Sequence, residues 1–273
     1  MAADLRIGGG TRLAGVIGWP VAHSRSPQMH NAAYAALGMD WAYVAMPVEP
    51  ERLEQALRGL PALGFAGANV TIPHKQAVAQ LCDELSDEAR RAGSVNTVLV
   101  GEHGRLRGET TDGAGMLDAI GTLPGGGAMV LGAGGAARAA AVALRDAGMR
   151  VEIAARRPGA AAALAGELGL DAADGWPPAS LPALVVNATP VGQAGAAEEL
   201  PVPGRLLDGV EVVCDLAYRG DGAETGLITG ARERGIRAVD GLDVLVGQGA
   251  LAFRLFTGSP APVAAMRAAV RRG

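Results

Sequence analysis

Two rhythms of apolar residues run along this chain. Short apolar runs bounded by glycine or proline read as buried strands. Apolar residues three and four apart read as helices. Residues 13–17 are an apolar run ending at Gly18. Ser26 before Pro27 is the pattern of a helix N-cap with proline at the first helical position, and this helix is predicted to run to about Leu37 and stop at Gly38. Residues 41–47 alternate like a strand, and Leu53, Ala56, Leu57 and Leu60 mark a helical face over 50–60. Residues 65–71 are the next strand, ended by Pro73, and helical spacing resumes from Gln76 to Leu81. This β-α-β-α-β series predicts a parallel sheet. Residues 94–100 and 105–110 flank Gly101-Glu102-His103-Gly104, a hairpin that gives the sheet an antiparallel edge. Asp112-Gly113 then opens a helix toward Ile120.

Gly125-Gly126-Gly127 interrupts the chain, and a second α/β series follows. Strands are predicted at 129–131, 151–155, 184–187, 210–216 and 236–239. Helices are predicted at 135–147, from Pro158 to near Gly169, and at 224–234. The tail, 242–256 and 260–271, is two helices with no strand between them.

Composition narrows the chemistry. The 273 residues are 49% hydrophobic but only 3% aromatic, which suits closely packed layers of small side chains. The net charge is −4, with acids and bases mixed and no basic block, so nucleic acid is not an expected partner. Cys82 and Cys214 are far apart with no CxxC, and His23, His30, His74 and His103 form no HExxH. Neither a disulfide framework nor a metal is expected. The first ten residues lack the apolar core of a secretory signal, and no run approaches the ~20 apolar residues of a spanning helix. The chain reads as a soluble cytoplasmic protein with no membrane association.

Three constellations carry chemistry. Leu131-Gly132-Ala133-Gly134-Gly135-Ala136-Ala137 follows a strand and opens a helix, the setting of a dinucleotide fingerprint. Gly132 permits the turn, Gly134 admits a pyrophosphate, and alanine is allowed at the position of Ala137. The next strand ends in Ala154-Ala155-Arg156-Arg157 with no acid to accept from a ribose hydroxyl. Arginine there forks onto a 2′-phosphate, so NADP is expected rather than NAD. The second constellation pairs Lys75 with Asp112, each at a strand-to-helix junction of the first half. A carboxylate beside a lysine favours the ammonium and orients it, and such a lysine moves a proton to or from an alcohol oxygen. The third is Ser24 and Ser26 at a helix start, a neutral cradle for a carboxylate. With Asn69, Thr71 and Asn96 at strand ends, this set suits a small polyhydroxylated acid.

In order, these motifs resemble the shikimate dehydrogenase family over nearly the whole chain. The segments that carry the resemblance are Gly18-Trp19-Pro20 through His23-Ser24-Arg25-Ser26-Pro27 to His30-Asn31, Asn69-Val70-Thr71-Ile72-Pro73-His74-Lys75, Ser94-Val95-Asn96-Thr97 and Thr111-Asp112-Gly113. Asn187-Ala188-Thr189-Pro190, Asp215-Leu216-Ala217-Tyr218 and Val246-Gly247-Gln248-Gly249-Ala250 complete the set. The resemblance implies an α/β fold with a mixed-sheet substrate domain over 1–112 and 242–273. An NADP-binding Rossmann domain over 113–241 follows, with C-terminal helices returning to the first domain. It implies reversible reduction of 3-dehydroshikimate to shikimate with NADPH, in chorismate and aromatic amino acid biosynthesis, by a monomer or homodimer. By the same resemblance Lys75 and Asp112 are the catalytic pair. Ser24, Ser26, Thr71, Asn96, Asp112, Tyr218 and Gln248 hold substrate. Gly132, Gly134, Gly135, Ala136, Arg156, Arg157, Thr189, Leu216 and Gly241 serve the cofactor. The chain departs from the family pattern at Thr110, at Ala155 and Arg157, and in a loop over 219–225 that is longer than usual. A quinate or amino-shikimate relative, and a non-catalytic NADPH-binding sensor, are the alternative readings.

Overall fold

Most of the apolar runs become strands in the computed structural model, which describes residues 7–157, 159–193 and 200–272. The chain divides into two compact units. One holds the residues up to Thr111 and those from Val246 onward; the other runs from Asp112 to Leu245.

The first unit begins with β1 (Arg12–Gly18), α1 (Ser26–Ala36), β2 (Trp41–Pro47), α2 (Leu53–Gly59) and β3 (Phe65–Val70). It continues through α3 (Lys75–Leu81), β4 (Glu84–Leu85), α4 (Asp87–Ala92), β5 (Thr97–Val100) and β6 (Leu106–Glu109). Its six-stranded sheet has the order β2-β1-β3-β5-β6-β4. β1 pairs in parallel with β2 and β3, while β5 runs antiparallel to β3 and β6, so the sheet is mixed. The hairpin is not at the sheet's edge. The short β4, too brief to leave a sequence pattern, lies parallel to β6 outside it. Ile17, Leu57, Val70, Val78, Val98 and Leu106 form the core beneath α2 and α3.

Two local expectations are corrected. Ser26 is not the cap of α1 but its first residue. Arg25 stands at the cap position without a side-chain bond, and Ser24 Oγ accepts from the Ser26 amide at 3.3 Å. β2 does not alternate: Trp41, Ala42 and Tyr43 are all buried. Tyr34 and His30 of α1 stack over Trp41 and Tyr43, with ring centroids at 5.4 and 4.3 Å.

The second unit holds α5 (Asp112–Ile120), β7 (Gly127–Leu131), α6 (Gly135–Asp146), β8 (Arg150–Ala154), α7 (Ala160–Leu168) and β9 (Asp171–Ala172). Then come β10 (Leu184–Asn187), β11 (Val212–Asp215), α8 (Gly226–Glu233) and β12 (Arg237–Val239). Pro158, the expected start of α7, lies outside the described residues. The sheet order is β12-β11-β10-β7-β8-β9, every pairing parallel. Read from β9, this is the 3-2-1-4-5-6 order of dinucleotide-binding sheets, which reverses between β7 and β10. β10 and β11 are buried along their whole length, as a sheet covered on both faces requires.

The last two helices are α9 (Gly241–Thr257) and α10 (Val263–Arg271). The division between the units falls inside α9. From Val246 on, the tail packs in the first unit. A side chain at Gly249 would meet Met29 of α1, and α10 lies along α1. The buried Arg25 donates from Nη1 to the Val270 carbonyl at 2.5 Å, placing its charge at the C-terminal end of α10. Among the described residues, no helix is long and apolar enough to cross a membrane.

Candidate active site

Topology gathers the polar residues of the first unit on one sheet edge. β1 and β3 are parallel neighbours, so the turns that follow them open on the same side. β5 is antiparallel to β3, so it starts there, and β6 returns there. Ser24, Thr71, Lys75, Asn96 and Thr111 all follow or precede these strand ends. The turns are laced by backbone bonds. Thr71 N donates to Ile17 O at 2.9 Å, Trp19 N to Ile72 O at 3.0 Å, and Val95 N to Lys75 O at 2.9 Å. His74 is buried with Nε2 2.8 Å from Val48 O, which anchors the residue before the lysine.

Lys75 is the first residue of α3 and half-buried. The N-terminus of a helix carries partial positive charge, so a cation there does nothing for the helix. α3 has no acidic residue in its first turn either. The position favours a reactive lysine over a structural one. Ser24 is half-buried and Ser26 buried, joined by the bond described above. Asp112 opens α5 directly after Thr111 and is half-buried. It belongs to the second unit, as does the half-buried Tyr218.

Asn96 is a hub. Its Oδ1 accepts from Thr111 N at 2.8 Å, and its Nδ2 donates to Thr111 Oγ1 at 2.9 Å and to Gln248 Oε1 at 3.3 Å. Two residues expected to hold substrate, Asn96 and Gln248, are thus bound to each other. Asn69 lies behind them, with Nδ2 donating to Thr97 Oγ1 at 2.9 Å and Oδ1 accepting from the Tyr43 hydroxyl at 2.6 Å. Sequence reasoning gave no role to Tyr43, Thr97 or Thr111. Thr97 and Thr111 sit inside quoted motifs, but nothing along the chain marks Tyr43.

In the second unit, Gly132 stands where the strand order reverses. Its φ is +121°, and a Cβ there would lie 2.9 Å from Ala188 O, so both the turn and the close approach demand glycine. Its amide donates to Ala154 O at 2.8 Å, while Ala188 N donates to Leu131 O at 2.8 Å. Gly134 precedes α6 with no side-chain cap, and Gly135 and Ala136 begin the helix. Small residues and an uncapped helix start fit a dinucleotide pyrophosphate. Arg156 and Arg157 are exposed just beyond β8, placed to meet a further phosphate.

Beside this turn, Asn187 Oδ1 accepts from Thr189 N at 3.0 Å and from Thr189 Oγ1 at 2.7 Å. Asn187 Nδ2 donates to Asp215 at 2.8 Å. Asp215 also accepts from Ala217 N at 3.0 Å and Thr225 Oγ1 at 2.5 Å. Burial pushes its carboxyl up to about 6 despite these donors. Asp215 and Thr225 were not expected among site residues. They hold the Asn187–Thr189 and Asp215–Tyr218 turns together, and Leu216 N donates to Asn187 O at 2.9 Å. Gly241 is buried at the start of α9, where a Cβ would lie 2.2 Å from Ala217 O. The long loop closes on itself. Arg219 pairs with Asp221 at 2.5 Å, and this bond pulls the Asp221 carboxyl down to about 2. A cavity of about 530 Å³ lined by Leu207, Asp208, Glu211 and Arg234 lies where β11 and β12 begin, the opposite end from these turns.

A reversed parallel sheet with a glycine turn and an open helix start at the reversal defines a dinucleotide-binding α/β unit. It is joined here to a mixed-sheet unit bearing a lysine among neutral hydrogen-bonding groups. The chain belongs to the shikimate dehydrogenase family. Residues 16–98 match the shikimate dehydrogenase substrate binding domain, and residues 241–271 the shikimate 5′-dehydrogenase C-terminal domain. The chain is 48% identical to the shikimate dehydrogenase (NADP(+)) of Rubrobacter xylanophilus, over 97% of each. It is similar to the crystal structure of the shikimate 5-dehydrogenase of Thermus thermophilus in complex with NADP(H) and shikimate. That likeness has 42% identity and a TM-score of 0.88, over 96% of this chain and 99% of that one. The ligand-free 5-ketofructose reductase of Gluconobacter sp. strain CHM43 is 32% identical with a TM-score of 0.84, over 96% and 99%.

Proposed function

We infer that this protein is an oxidoreductase that reversibly reduces 3-dehydroshikimate to shikimate with NADPH. The observation that carries this reading is Lys75 at the start of α3, on the sheet edge shared with Ser24, Thr71 and Asn96. Near-half identity to a named relative over almost the full length supports the substrate.

The first unit supplies the substrate side. Ser24 and Ser26 take the carboxylate, and Thr71, Asn96 and Gln248 take hydroxyls, with Tyr218 as a further contact. Lys75 gives a proton to the oxygen formed when the carbonyl is reduced, and takes it back in the oxidation. Asp112 is its carboxylate partner, favouring the ammonium. In the second unit, Gly132, Gly134, Gly135 and Ala136 form the pyrophosphate seat. Arg156 and Arg157 take the 2′-phosphate, and Thr189, Leu216 and Gly241 border the nicotinamide. NADPH, when bound, supplies the hydride. The protein works in the cytoplasm on small soluble acids, as a monomer or homodimer.

The test is the absorbance of reduced nicotinamide on adding shikimate with NADP, then with NAD, and then quinate with each. A rise with shikimate and NADP well above the other pairs is expected. No rise with shikimate and either cofactor overturns the reading. A larger rise with quinate reassigns the substrate.

A further inference from the structure

Two backbone groups fix the direction of a buried chain of hydrogen bonds in the first unit. The carbonyl of Asn96 can only accept, and Asn69 Nδ2 lies 3.2 Å from it. Asn69 Oδ1 is therefore the atom facing Tyr43, whose hydroxyl donates to it at 2.6 Å. The same Nδ2 donates to Thr97 Oγ1 at 2.9 Å, so the Thr97 hydroxyl hydrogen points onward to Asn96 Oδ1 at 3.1 Å. At the far end, the amide of Thr111 can only donate, and Asn96 Oδ1 accepts from it at 2.8 Å. Asn96 must then turn Nδ2 toward Gln248, and Gln248 meets it with Oε1 at 3.3 Å.

Tyr43 is itself held from two sides. The Asn31 side chain donates to Tyr43 O at 2.9 Å and accepts from Tyr43 N at 2.8 Å, pairing with the edge strand β2 as a neighbouring strand would. His30 stacks on the Tyr43 ring at 4.3 Å with the planes 3° apart. The adjacent pair His30-Asn31 thus places one tyrosine hydroxyl.

We propose that Tyr43, Asn69 and Thr97 are positioning residues. Their hydrogen bonds run in one direction and commit the oxygen of the Gln248 amide to Asn96, so that what Gln248 offers a substrate hydroxyl is an N–H. This rests on the reading of Asn96 and Gln248 as substrate residues.

Tyr43→Phe keeps the ring and the stack and removes the donor. The expected result is about a tenfold rise in KM for shikimate, the effect of one misdirected hydrogen bond. kcat should stay within about threefold, and KM for NADP should not move. Thr97→Val should give the same split, and Thr97→Ser, which keeps the hydroxyl, should restore the wild-type KM. The double variant Tyr43→Phe/Thr97→Val should be no worse than either single one, because a broken chain cannot be broken again. Unchanged KM for shikimate in a folded Tyr43→Phe, equal shifts in both KM values, or multiplicative effects in the double variant overturn the proposal. If the wild type turns over no shikimate, the assigned reaction fails, and the same double-variant cycle is read in thermal unfolding. Non-additive shifts in Tm then support the directed chain, and additive shifts overturn it.

Discussion

β3 and β7 are both parallel strands that hand over to a helix at their carboxyl ends, yet the turns that follow share almost no chemistry. After β3 come Thr71, Pro73, His74 and Lys75, each with a side chain that bonds, blocks or carries charge. After β7 come Gly132, Ala133 and Gly134, which carry none of these. The first turn works through side chains and needs backing so that each is aimed: His74 is tied to Val48, and Asn69 and Asn96 to a buried network. The second works through backbone N–H groups and needs side chains removed so that a phosphate comes close. Any substitution should therefore damage the first turn in kcat or KM for shikimate, and the second in KM for NADP.

The largest effect is expected at Lys75. Lys75→Ala removes the proton donor, and turnover should fall by about 10³-fold or more, within the range of general acid–base catalysis. Shikimate binding, measured by fluorescence titration, should be largely spared, because the lysine acts mainly in the transition state. Unchanged turnover would break the comparison at its first turn. Gly132→Ala comes next. A Cβ 2.9 Å from Ala188 O, at a φ of +121°, strains the backbone by about 1–3 kcal/mol. KM for NADP should rise by roughly ten- to a hundredfold and Tm should fall, while KM for shikimate should hardly change. A shift confined to KM for shikimate would show that the two turns are not separate devices.

Arg156 sharpens the second half of the comparison. Arg156→Ala removes an exposed guanidinium on a loop beyond the strand end, so the fold should not notice. KM for NADP should rise about tenfold, as for one lost charge-assisted bond, with KM for NAD unchanged. An equal effect on both cofactors would place the arginine away from the 2′-phosphate.

Much of this was legible in the chain. Each turn announces itself locally: Gly132-Ala133-Gly134 by its glycines, Pro73-His74-Lys75 by a proline between strand and helix. Such signals need only adjacent residues. The backing was not legible, because it is assembled across distance. Tyr43 meets Asn69 from another strand, and Asn187 meets Asp215 from another. A tyrosine in a strand reads as core whatever its hydroxyl does. Ser26 misled for a related reason. Serine before proline is a sound cap signal, but the preceding turn, closed by Ser24 N on Val21 O at 3.0 Å, starts the helix one residue early. β4 escaped notice because two residues, Glu84 and Leu85, carry no period.

The smallest expected effect separates the two units by pH. The first buries His30, which burial pushes down to about 3 from an ordinary 6.5. Folded His30 stays neutral where the unfolded chain takes a proton. Its contribution is whole above pH 6.5 and is lost as pH falls toward 3. The second unit buries Asp215, pushed by burial up to about 6 from 3.8. Here the sign is reversed. Folded Asp215 keeps a proton that the unfolded chain releases, so its contribution is whole below pH 3.8 and is lost as pH rises through 6. Each group is worth at most about 1.4 kcal/mol per pH unit in its window. Between pH 6 and 4 the two slopes oppose each other, and the wild-type Tm should change little through these groups. Asp215→Asn keeps the shape and an acceptor for Asn187 but removes the proton uptake. Its Tm, followed by circular dichroism, should fall more steeply than that of the wild type from pH 6 to 4.5, leaving the His30 slope unopposed. Parallel curves would mean that Asp215 stays ionised in that range, and that the buried polar core of the second unit is as indifferent to acid as the Tyr43–Asn69–Asn96 chain of the first.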